Sequence, residues 1–169
     1  MKTPEGVFFL AGVIAIRSRY TRAMTTDYTN ARSAPVITIF VLYRGKYLMV
    51  KRSDKVLTYQ GLWSCLAGFV DDDKTPEEKA YIELEEELGV KREEVKRLVP
   101  VDTYLFVDKE LNREWIRHVY LAEITNPTVD LSWEHTQLVW VTPDEAKQYE
   151  STPGFHDDLA KVMTHEHAV

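Results

Sequence analysis

Glu83, Glu86 and Glu87 stand at i, i+3 and i+4 in the chain. On a helix those positions share one face. Three like charges held that close repel one another, so the arrangement lowers stability unless something compensates. A hard divalent cation does so through oxygen ligands. Magnesium keeps several waters and takes one or two carboxylates together with substrate phosphates. A bare glutamate-rich string can equally be a solvated helix face, and here the surroundings decide between the two. A glycine after a strand (Gly68), an acidic loop at 71–74, a capped helix, the three carboxylates and a terminating glycine (Gly89) all fall within one 23-residue window.

The helix that must carry these residues is the clearest in the sequence. Thr75 is placed as its N-cap, Pro76 at its first turn and Glu78 as the partner of a capping box. Gly89 is placed to end it. Ala80, Leu84 and Leu88 recur every four residues and form an apolar stripe. That stripe docks the helix on a sheet and aims the acidic face at a cleft beside Gly68.

The remaining elements alternate with this one. Residues 36–42 (VITIFVL) read as a buried strand, Arg44-Gly45 as a turn and residues 46–51 (KYLMVK) as the returning strand. Residues 62–66 read as one short strand ending at Gly68. Residues 98–107 and 115–124 read as two strands joined by a polar turn at 109–112, and residues 138–141 as another strand. Thr142-Pro143-Asp144-Glu145 is a second capping box opening a short helix, and residues 155–163 read as a final helix. Interleaved strands and helices give an α/β or α+β class with a mixed sheet.

Composition bounds the function. The 169 residues suit one domain, and a hydrophobic content of 44% supports an ordinary core. The net charge is −6, but residues 71–94 hold eleven acids against four bases, a local −7. The rest of the chain is near neutral, so long nucleic acid is not an expected partner, and the acidic patch calls for cations. Cys65, the single cysteine, excludes an internal disulfide and fits a cytoplasmic location. The run at 6–16 (GVFFLAGVIAI) is too short to span a bilayer. With Lys2 before it and Arg17, Arg19 and Arg22 after it, it weakly resembles a secretion signal. An added strand and a disordered leader are the alternatives, and Met24 is a second candidate start. The expected organisation is a leader or extension at 1–34 and a domain at 35–169.

The window 68–90 (GFVDDDKTPEEKAYIELEEELGV) resembles the Nudix box. The family pattern is Gly, five residues, Glu, seven residues, then Arg-Glu-apolar-x-Glu-Glu-x-Gly-apolar. Gly68, Glu83, Leu84, Glu86, Glu87, Gly89 and Val90 match it in register, while Lys74 stands where the first Glu belongs and Ile82 where the Arg belongs. The two departures remove both ends of a polar link that orients the catalytic loop in the family. A paired loss strands no charge.

The resemblance covers about 35–163. It implies a Nudix fold, with a mixed sheet between helices, and hydrolysis of a phosphoanhydride bond in a small nucleotide. It also implies that Glu83, Glu86 and Glu87 bind Mg2+, with Mn2+ as an alternative, and so activate the attacking water. The segment 133–146 (WEHTQLVWVTPDEA) resembles one found in several Nudix subfamilies and makes Glu134 the candidate extra ligand or base. The bland alternative is an exposed loop acid with His135 packing locally. Those subfamilies act on dinucleoside polyphosphates and on nucleoside or pterin triphosphates, which lead the substrate candidates ahead of ADP-ribose-like diphosphates.

A polyanionic substrate needs cations and a base-stacking surface. Arg52 and Lys51, with Gly68 and Phe69, are the expected substrate contacts. Lys46, Lys55, Arg113 and Arg117 are further cations, and Tyr59, Trp63, Trp115 and Tyr104 further aromatic candidates. Cys65 invites comparison with isopentenyl-diphosphate isomerases of the same fold, whose cysteine lies beside the box glycine. Cys65 lies three residues before Gly68 and reads as a small buried hydrophobe. The alternative of another class is a non-catalytic Nudix-fold module that binds a nucleotide. No membrane partner is expected, and a homodimer stays open.

Overall fold

The computed structural model describes residues 26–166. The run at 6–16, its flanking basic residues and Met24 lie outside the described residues. Seven strands and three helices follow in the order β1 (Ser33–Tyr43), β2 (Lys46–Arg52), β3 (Trp63–Ser64), β4 (Leu66–Phe69), α1 (Pro76–Leu88), β5 (Val95–Asp108), β6 (Arg113–Ile124), β7 (His135–Val141), α2 (Pro143–Ala146) and α3 (Phe155–Glu166). A single 3-10 turn, Arg92–Glu94, precedes β5.

The sheet is built around β1. It runs parallel to β6 from Ser33 to Leu42, and β6 is antiparallel to β5. On the other side β1 pairs with β2 only next to the hairpin turn, at Leu42↔Tyr47 and Tyr43↔Lys46. Arg44 (φ 48) and Gly45 (φ 76) both take left-handed backbone in that turn, as a tight two-residue hairpin requires. Beyond the turn β1 and β2 part, and β4 pairs with β1 instead, from Val36↔Phe69 to Ile39↔Leu66. This is where the sequence expectation changes. The single strand expected at 62–66 is two strands, because the chain leaves β2 at Ser64 and joins β1 at Leu66. The crossing carries Gly68 toward the helix.

Both faces of β1 are buried, which is why its sequence is a continuous apolar run rather than an alternating one. Ile37, Ile39 and Val41 pack with Ala80, Leu84 and Leu88 of α1. Phe40 and Leu42 pack with Phe155, Leu159 and Val162 of α3 and Ala146 of α2. The mixed sheet is therefore sandwiched between helices, as expected. The stripe of α1 is fully covered (Ala80 0%, Leu84 0%, Leu88 1% exposed), so the orientation of its glutamates is fixed by packing. Thr75 accepts from the Glu78 amide and Glu78 accepts from the Thr75 amide, closing the capping box. Gly89 ends the helix in left-handed backbone at φ 68. No described helix is long and apolar enough to cross a membrane.

Candidate active site

The parting of β1 and β2 leaves a cavity of about 530 Å3, within the usual range for a small-molecule site. Glu83 and Glu86 of α1, Arg52 of β2, Gly68 and Phe69 of β4, Asp71 and Lys79 line it with Glu134. Two elements bring Glu134 in. The Ser132 amide donates to Glu87 O, holding the 130s segment along α1, and the Ser53 amide donates to Glu134 O at 2.7 Å. Arg52 is delivered by an irregularity in the β2–β7 ladder, where the register slips between Lys51 and Arg52. Lys51 and Lys46 do not line the cavity, whereas Lys55, Arg113 and Arg117 do.

The three glutamates do not share one environment. Glu86 is exposed, Glu83 is half-buried and Glu87 is buried. The common acidic face expected from the sequence is thus graded from solvent to interior. A Cβ on Gly68 would overlap the Glu83 carboxyl group, so the glycine makes room for that side chain. Glu87 Oε2 lies 2.5 Å from His135 Nε2. Burial pushes the His135 pKa down to about 4, so the ring is neutral and shares a hydrogen bond with the Glu87 carboxyl whose donor depends on the tautomer. Glu87 Oε1 is buried with no hydrogen-bond partner. Burial first, then repulsion from neighbouring carboxylates, raises Glu83 and Glu87 to about 8.

Those observations fit a hard cation. An unpartnered buried carboxylate oxygen has an unmet need for positive charge, and the donors are oxygens. Among the described residues, no group of three acidic, histidine or cysteine side chains is already gathered round one ion position.

The wider cavity adds an aromatic wall. Tyr59, Phe69 and Trp115 line it, and the Phe69 and Trp115 ring centroids are 6.1 Å apart. Trp63 and Tyr104 do not line it. Trp63 packs edge-on to Tyr149, and the Tyr104 hydroxyl donates to Asp158 at 2.6 Å. Arg52 is partly committed, with its Nε donating to Thr58 O at 2.9 Å, and its burial lowers its pKa against the pull of Glu134 and Glu87. Arg117 is held by Asp158 at 2.9 Å and lies over the Phe106 ring. Cys65 touches the cavity, but burial pushes its thiol far up, which leaves little thiolate to react.

Sequence reasoning missed Trp133, exposed at the rim, and Asp108, a buried carboxylate that accepts from the Tyr59 hydroxyl and Trp115 Nε1. Trp133 adjoins Glu134, which gave a usable signal. Asp108 sits at the end of a long strand with nothing in the sequence to mark it.

Comparison with known proteins settles the family. A model of the NUDIX domain matches residues 32–163. The chain belongs to the Nudix family. A MutT-like protein of Streptomyces ambofaciens is 28% identical over 116 residues, covering 69% of this chain and 68% of that one. A MutT protein from Methanosarcina mazei Go1 superposes with a TM-score of 0.64 at 22% identity, covering 79% of this chain and 95% of that one. The NUDIX domain of Shewanella oneidensis NrtR, solved with ADP ribose, gives 0.67 at 15% identity, covering 79% and 88%. A C. elegans Ap4A hydrolase binary complex gives 0.61 at 21% identity, covering 81% and 98%. These solved structures share the Nudix fold with this chain.

Proposed function

We propose that this Nudix protein is a magnesium-dependent hydrolase of a phosphoanhydride bond in a small nucleotide. The observation that carries the reading is the buried, unpartnered Glu87 Oε1 next to Glu83, beside a cavity that holds both carboxylates and cations. A module that only bound nucleotide would gain nothing from keeping two carboxyls in a setting that raises their pKa. Glu83, Glu86 and Glu87 would hold the metal. Bound there, magnesium supplies charge neutralisation on the phosphates and lowers the pKa of the attacking water.

The chain's own residues do the rest. His135 fixes the Glu87 carboxyl through the Nε2–Oε2 hydrogen bond. Glu134 stands beside the cavity to take a proton from water, and Arg52, Lys55 and Arg113 face the phosphates. Phe69 and Trp115 offer a stacking surface to a base. The names of relatives that act on or bind Ap4A and ADP ribose support dinucleoside polyphosphates and ADP-ribose-like compounds as candidates, beside nucleoside and pterin triphosphates. A single buried thiol supports a reducing, cytoplasmic setting.

The test is a nucleotide panel with magnesium, reading phosphate and pyrophosphate release in oxygen-18 water. Label should appear in a phosphate product, and Glu86→Gln with Glu87→Gln should abolish both turnover and metal binding. Tight nucleotide binding with no turnover of any compound would instead identify a binding module.

A further inference from the structure

The two departures from the box pattern, Lys74 and Ile82, leave open what ties the acidic loop to α1. Lys79 lies one turn before Ile82, at i, i+4 from Glu83 and i, i+8 from Glu87, in a single row along the helix. It is buried to 9% exposure, unusual for a lysine. Its ammonium donates to Asp71 Oδ1 at 3.2 Å and lies 3.7 Å from Glu83 Oε1 and 4.0 Å from Asp72 Oδ2. Lys74 closes the loop end: its ammonium is 3.2 Å from Asp72 Oδ2, and its amide donates to Asp72 Oδ1 at 3.0 Å. Burial alone would lower the Lys79 pKa, but Asp71, Glu83 and Asp72 outweigh it and raise it.

We infer that Lys79 is the positioning residue of this site, a cation moved one helical turn that ties the 71–74 loop to Glu83 in place of a link between positions 74 and 82. The polarity of the link is rearranged. Asp71 and Asp72 supply the anions from the loop, and Lys79 supplies the cation from the helix. Lys74 then belongs to the same cluster and is not a lost glutamate. A buried ammonium is costly unless paired, and here it is held among three carboxylates. One of them, Glu83, lies in the space that the missing side chain of Gly68 leaves open. The inference builds on the proposed metal site but concerns the loop itself, so the two can fail separately.

Lys79→Met keeps the length of the side chain and removes its charge. In metal-free protein, amide hydrogen exchange across 71–74 should rise about tenfold or more, with exchange in β1 and β6 unchanged. Manganese affinity should fall about 10–100-fold, as for loss of a residue that orients metal ligands. The decisive arm is relocation: the triple variant Lys74→Glu, Lys79→Met, Ile82→Arg should restore both loop protection and manganese affinity, which a merely structural lysine would not allow. If Lys79→Met unfolds, Lys79→Gln takes its place. Unchanged loop exchange in the single variant, or a folded triple variant without recovery, overturns the inference. A wild-type protein that binds no manganese would sink the metal reading, while the exchange measurements still decide the role of Lys79.

Discussion

Glu83 and Glu87 carry the pH behaviour expected of the metal-free protein. Their folded pKa values, about 8, lie above the ordinary value of 4.5. Between those limits the folded state binds more protons than the unfolded one, so stability falls as pH rises through that window. Below about pH 4.5 both states are protonated and the penalty is absent. Above about pH 8 it is fully present. Metal-free protein should therefore melt lower at pH 8 than at pH 5.5, by several degrees, since about 1 kcal/mol moves Tm by about 2–4 °C in a chain of this size. Glu87→Gln should flatten the profile, and magnesium should stabilise more at pH 8 than at pH 5.5. A melting temperature flat across that range would show that the pair is not desolvated as described. The residue types and their spacing were readable in the sequence, because i, i+4 geometry is local. Their grading was not: Glu87 is buried by His135, which lies 48 positions away, and no local pattern encodes that packing.

At the scale of elements, α1 and β4 separate stability from function. Thr75 satisfies the Glu78 amide at the start of α1, so Thr75→Ala should cost about 1 kcal/mol, seen as a small drop in Tm with turnover nearly intact. Gly68 tests the converse. Its backbone φ is not in the left-handed region and its obstacle is the mobile end of the Glu83 side chain. Gly68→Ala should leave Tm nearly unchanged yet lower kcat about tenfold or more, by displacing the Glu83 carboxylate. A large loss of stability with normal turnover would show that Glu83 swings aside freely. The helix, its caps and its stripe were legible because capping and period are written in nearby residues. The division of β3 from β4 was not, because it depends on β1 parting from β2, a tertiary event that the local apolar run Leu62 to Leu66 cannot show. The slip between Lys51 and Arg52 is of the same kind: neighbouring cations in sequence, only one of which reaches the cavity.

Over the whole molecule, charge is arranged so that the proposed metal and nucleotide would need each other. Residues 71–94 carry −7 against a net −6 for the chain, and the loop and helix within them border the cavity through Asp71, Lys79, Glu83 and Glu86. A polyphosphate approaching metal-free protein meets Asp71, Glu86 and Glu134, joined by Glu83 once it ionises above about pH 8, in the same cavity as Arg52, Lys55 and Arg113. In a partly desolvated pocket these like charges oppose binding strongly. A divalent ion reverses the sign at the carboxylate end, so the two ligands should bind with positive coupling. By linkage, the factor by which metal tightens nucleotide equals the factor by which nucleotide tightens metal. With a non-hydrolysable nucleotide analogue, calorimetry should show affinity rising at least tenfold when magnesium is added, with an equal gain for magnesium when the analogue is present. The coupling should collapse in Glu86→Gln with Glu87→Gln, because nothing then holds the ion. Affinity for the analogue that is the same with and without magnesium would mean that Arg52, Lys55 and Arg113 bind phosphate unaided and that the acidic end faces another part of the ligand.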